Sequence, residues 1–251
     1  MKFRKFNPKT YFVFLALAGV VFVGVHGNTF LPAGFDPEQF SANLARIWIK
    51  SSNVEPVLLN YPFPLLSPSI TVAEGFESYD GNLGDIPEAP HWAIDYVQKS
   101  GDKFLSFPVF SAHDGVVFQG FGKTWGKFVV VRKRGDLSAS RRMQGYNTLY
   151  SHLDNIPESI PFMNSDIDNS EGIFLVSGTF IGDASVTGNT KGINQLHFEF
   201  HIVDTKTSIT LRADPYGVYK RLSSRLYPQP GSSLFGLSHY WSNNFPPFAT
   251  K

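Results

Sequence analysis

The stretch INQLHFEFHIV at residues 193–203 alternates polar and apolar residues without a break from Gln195 to Ile202. Leu196, Phe198, Phe200 and Ile202 fall on one side of the alternation, and Gln195, His197, Glu199 and His201 on the other. Successive side chains of a β-strand point to opposite faces, so a period of two describes a half-buried strand. Four polar groups, two of them imidazoles, therefore line one face. A metal site, a catalytic row and the wet side of a sheet are all open readings of that face.

Further short runs carry the β pattern along the chain. Candidate strands cover 106–112, 115–121, 127–133, 146–151, 173–181 and 195–203, divided by turns such as His113-Asp114-Gly115. With 24 Phe and 10 Tyr, and with Gly and Pro dispersed, the composition suits a turn-rich, mainly β fold, an antiparallel sandwich or barrel. Two helices are expected beside it. Asp36-Pro37-Glu38-Gln39 reads as a helix start, and Phe40, Leu44, Ile47 and Trp48 continue it as an amphipathic helix over 37–50. Asp214-Pro215 opens a second, short helix through about Ser223. A Pro-rich connector spans 56–68, and two polar inserts, 134–145 and 154–172, read as surface loops. The expected organisation is a leader at 1–27, helix and connector at 28–68, a β domain at 69–226 and a tail at 227–251.

The leader is set apart by its chemistry. Lys2, Arg4, Lys5 and Lys9 precede the uncharged run YFVFLALAGVVFVGV at 11–25, the pattern of an export signal. An exported protein is expected, periplasmic, in the cell envelope or extracellular, with this segment either cleaved or kept as its one membrane anchor. No acidic residue falls in 1–27, so removing it turns the formal charge from +1 to −3. So small a charge gives no argument for a nucleic-acid partner. The chain has no cysteine, which excludes disulfides and thiolate ligands and leaves His, Asp and Glu to hold any metal.

Most of the seven histidines carry no signal. His26 and His239 lie at the leader boundary and in the tail, and His113 sits in a hairpin turn. His91 and Asp95 in HWAID are four apart, on one side of a strand or of a helix, and so able to grip one ion. His152 closes an apolar run in YSHLD.

In order, HWAID, SAHDGVV, TLYSHL and FLVSGTFIGDASVTGNTKGINQLHFEF resemble segments of the lysostaphin-type (LytM-like) zinc metallopeptidases, over roughly residues 85–220. The resemblance implies a compact antiparallel β fold, the duplicated hybrid motif, holding one catalytic Zn(2+). It implies an endopeptidase that cuts peptide bonds in the stems or cross-bridges of bacterial peptidoglycan. Residue by residue, it makes His91, Asp95 and His197 the zinc ligands and His152 a catalytic histidine that binds no metal. At the position of the family's second catalytic histidine this chain has Gln195.

A Gln amide accepts a hydrogen bond but does not titrate. If the replaced histidine is a general base, its loss removes about 10²–10⁴-fold in rate. Glu199 lies roughly 6.6–6.8 Å from His197 along a strand and His201 about 13 Å away. Ligand atoms sit about 2 Å from zinc, so His201 is expected to be a bystander and Glu199 a support. Three functions follow: an active zinc endopeptidase, a zinc-binding but weak or inactive homologue that binds peptidoglycan or regulates another hydrolase, and an unrelated carbohydrate-binding module.

Overall fold

The computed structural model describes residues 59–65, 70–76, 91–133, 144–163, 172–204, 209–218, 222–223, 225–232 and 240–242, all within the unit Ser41–Lys251. The expected leader, the helix over 37–50, most of the first insert (134–143) and residues 164–171 of the second lie outside these residues. The described strands are β1 (Ile70–Glu74), β2 (Ile94–Ser100), β3 (Lys103–Leu105), β4 (Pro108–Phe110), β5 (Gly115–Gly122) and β6 (Gly126–Lys133), followed by β7 (Gln144–Asp154), β8 (Ile173–Leu175), β9 (Phe180–Ala184), β10 (Leu196–Asp204) and β11 (Ile209–Arg212). They pair antiparallel in one open sheet of order β1-β2-β10-β7-β6-β5-β8, with β3 on β2, β11 on β10, and β9 joining β7 to β4. The mainly β, antiparallel class expected from the alternation is therefore present.

Strand β10 lies inside the sheet, between β2 and β7, and its apolar side is buried. Leu196, Phe198, Phe200 and Ile202 are all at most 2% exposed, in a core shared with Ile94, Tyr96, Val129, Val131 and Tyr150. Each such side chain contributes about 1.5–3 kcal/mol on burial. Pieces of the expected connector and tail belong to the same core. Leu59 bridges to Trp241, and the Tyr61 ring stacks on Trp241 with centroids 4.4 Å apart.

The polar side of β10 differs from a wet face. Gln195 and Glu199 are buried, and His197 and His201 are mostly buried, their side chains 15% and 17% exposed. Polar groups withdrawn from water must find partners, and the register decides which. His197 stands opposite Asp95 on β2 and opposite Ser151 on β7.

Several boundaries moved. The expected strand at 173–181 is two strands, β8 and β9, split by a turn at Val176–Thr179 in which Gly178 has φ 80°. The helix expected from Asp214 is, over the described residues 214–218, a single turn. The Asp214 carboxylate accepts from Tyr216 N and Val218 N at 2.8 Å each, as a cap does, but Gly217 at φ 68° turns the backbone left-handed and stops propagation. Among the described residues there is no helix.

Candidate metal centre

His91 precedes β2, Asp95 is its second residue, and His197 is the second residue of β10. Antiparallel pairing sets Asp95 and His197 side by side, and His91 reaches them across the bend at Ala93. His91 Nδ1 donates to Gly75 O at 3.1 Å, which turns Nε2 inward. His91 Nε2 lies 3.3 Å from Asp95 Oδ1 and 3.3 Å from His197 Nδ1, and His197 Nδ1 lies 2.8 Å from Asp95 Oδ1. Among the described residues these three form the one group able to hold a metal ion. Atoms about 2.0–2.1 Å from a tetrahedral zinc stand about 3.3 Å apart. Two of the three spacings match that distance and the third, Asp95 Oδ1 to His197 Nδ1, is shorter at 2.8 Å; two imidazoles with one carboxylate leave a fourth position open, as a catalytic zinc requires.

The electrostatics favour a cation. Burial alone pushes the Asp95 carboxyl up, but the His91 and His197 rings outweigh it and hold it well below the usual carboxylate range. Burial alone lowers His197, yet Asp95 and then Glu199 raise it to about 10. Two carboxylates thus hold a positive charge here, which a metal ion provides in place of a proton.

His152 is brought to the same place by irregular backbone. A register shift between Lys127 and Val129 disturbs the β6–β7 ladder, and His152 sits at φ 62°. A bulge of this kind re-aims a side chain. The His152 ring centroid lies 5.7 Å from that of His197, and Nδ1 donates to Thr187 O at 2.8 Å. Gln195 is bridged to Ser185, next to the strand pair that carries His152. Its Oε1 and the Ser151 Oγ are buried with no hydrogen-bond partner among the described residues. Ser151 shares the face of His197, directly across the ladder. Buried polar atoms of this kind beside the triad are available to water or to a ligand.

All five expected site residues are therefore gathered around β10. The reasoning from sequence missed others. Gly75 O, Thr187 O and Arg212 depend on the pairing of distant segments, for which no local pattern exists. Ser151 was visible inside YSHL but had no chemical signal. His201 lies outside the ligand group, as expected, yet it is not idle: its Nε2 donates to Glu199 at 2.6 Å. His113, expected as a turn residue, is buried and meets Thr148 Oγ1 at 2.9 Å. No family model matches the chain, and no curated protein matches it.

Proposed function

We propose that the chain is an exported zinc-dependent endopeptidase acting on the peptide of bacterial peptidoglycan, with the duplicated hybrid β fold of the lysostaphin-type enzymes its motifs resemble. The observation that carries this reading is the convergence of His91 Nε2, Asp95 Oδ1 and His197 Nδ1 at mutual distances of 2.8–3.3 Å, with the His152 ring alongside. A zinc ion there supplies Lewis acidity toward a scissile carbonyl and lowers the pKa of water toward neutrality. His91 and His197 offer neutral nitrogens, and Asp95 offers the compensating charge. With its Nδ1 proton on Thr187 O, His152 donates through Nε2 only as the imidazolium, and in that form it meets the negative charge developing on a carbonyl oxygen. Gln195 orients water through its amide but holds no proton in transit.

Digestion of purified peptidoglycan tests the reading. Wild type is expected to release new amino termini and His152→Ala about 10²-fold fewer, the loss of one donor to a developing oxyanion. Equal release by both removes His152 from the mechanism. Gln195 specifically favours a second reading, in which the site binds zinc and peptidoglycan with little turnover and serves another hydrolase. Under that reading wild type retains peptidoglycan in a pull-down and releases no termini.

A further inference from the structure

The polar face of β10 continues beyond the three candidate ligands. His197 Nε2 donates to Glu199 Oε1 at 3.1 Å, and Glu199 Oε2 lies 2.6 Å from His201 Nε2 and 3.3 Å from Arg212 Nε. The Glu199 side chain is 4% exposed, whereas those of His201 and Arg212 are 17% and 44% exposed. His201 and Arg212 stand directly opposite each other on β10 and β11. The chain of contacts thus runs from the metal group to a short outer strand.

We propose that Glu199 is a positioning residue for His197, and that His201 and Arg212 hold Glu199 in place by engaging its second oxygen. The proposal rests on the reading that His91, Asp95 and His197 hold a metal. Only one tautomer of His197 can ligate through Nδ1, the one carrying its proton on Nε2. An acceptor at Nε2 selects that tautomer and fixes the ring plane. Glu199 Oε1 is that acceptor. A carboxylate alone does this loosely, because its terminal torsion is broad. A buried second oxygen without donors would also carry a desolvation cost. The His201 and Arg212 donors remove both problems, and they keep Oε2 from turning toward the ion. Neither residue touches the metal group. Their effect on it passes through Glu199.

The test uses the full chain and zinc alone as probe, with affinity read by competition against a chelator and the His197 Nε2 proton read by NMR in the zinc-loaded protein. Wild type is expected to show a slowly exchanging, hydrogen-bonded His197 Nε2 proton. The double variant His201→Leu/Arg212→Leu is expected to show faster exchange of that proton and about 10-fold weaker zinc binding, within the range for lost outer partners of a ligand. His201→Gln keeps a donor and is expected to stay near wild type, which separates loss of the hydrogen bond from loss of fold. Glu199→Gln is expected to weaken zinc binding by about 10–100-fold. Adding His201→Leu to it should cost nothing more, because the two act through one contact. Multiplying losses, or unchanged NMR and affinity in the double variant, overturn the proposal. Zinc binding that responds in this way without release of termini from peptidoglycan sinks the proposed activity and leaves the positioning role standing. Wild type that takes up no zinc overturns the metal reading and the positioning role with it.

Discussion

Two buried histidines of this sheet, His113 and His197, meet opposite electrostatic fates. His113 lies between the β4–β5 turn and β7, with its Nδ1 donating to Asp114 O at 2.8 Å, the Thr148 hydroxyl 2.9 Å from Nε2, and the Tyr146 ring against its own. Its direct partners are uncharged. Burial lowers its pKa to about 4, the Asp114 carbonyl opposing and the Lys133 charge assisting. His197 feels the same desolvation, but Asp95 and Glu199 reverse it and raise the ring to about 10. Burial therefore does not by itself decide what an imidazole becomes. Neutral partners turn it into a structural acceptor. Carboxylates turn it into one wall of a cation site.

The largest expected effect comes from emptying that site. Wild-type protein should carry about one zinc by metal analysis, the complement of one tetrahedral group. His91→Ala should carry none and release no amino termini above background. His113→Ala should keep the zinc, because its ring touches no ligand. Zinc lost equally from both variants would erase the distinction between the two histidines. The next largest effect is a gain. Gln195→His returns a titrating group beside His152 and should raise hydrolysis by about 10²–10⁴-fold if general-base catalysis is what the chain lacks. An unchanged rate places the weakness elsewhere and favours the binding reading.

How much of this was legible in the sequence follows from where each signal resides. The alternation of β10 is a property of eight consecutive residues, so the strand, its apolar face and the row from Gln195 to His201 could be read directly. Strand β2 escaped notice as a strand because Ile94, Asp95, Tyr96 and Val97 are all buried, and a strand covered on both faces shows no alternation. That the polar face of β10 is enclosed was equally hidden. Enclosure comes from β2 and β7 standing on either side, a consequence of His197 pairing with Asp95, 102 residues away, and with Ser151, 46 residues away. The short helix at Asp214 failed for a local reason, since its cap was read correctly and the left-handed Gly217 three residues later was passed over.

A smaller effect should appear in stability against pH. The folded-state pKa of His113, about 4, lies below the ordinary value of 6.5. The unfolded chain therefore takes up a proton first as pH falls. The contribution of the neutral, buried ring is fully present above pH 6.5 and is lost between there and pH 4, about 3 kcal/mol in all. Denaturant unfolding at pH 7 and pH 4.5, with zinc removed from both samples, should show wild type losing stability more steeply than His113→Leu. Parallel losses would mean that this ring does not titrate as its surroundings require.

The smallest expected effect compares the glycines that stand behind the two histidines. A Cβ at Gly75 would fall 2.4 Å from Cδ2 of the buried Tyr227 ring, and Gly75 O is the acceptor that orients His91. A Cβ at Gly115, the first residue of β5 just after the turn that carries His113, would fall 2.6 Å from the backbone oxygen of Arg132. Neither neighbour yields easily, one a buried ring whose hydroxyl donates to Asp214 and the other a rung of the β5–β6 ladder. Gly75→Ala and Gly115→Ala should each cost about 1–3 kcal/mol in unfolding experiments, the usual cost of overpacking. Zinc affinity should separate them. Displacing Gly75 moves the carbonyl that sets the His91 ring, so Gly75→Ala should weaken zinc binding, whereas Gly115→Ala should leave it unchanged. Equal affinities in the two variants would mean that His91 keeps its orientation without that carbonyl, and that the ligand group is held by Asp95 and the pairing of β2 with β10 alone.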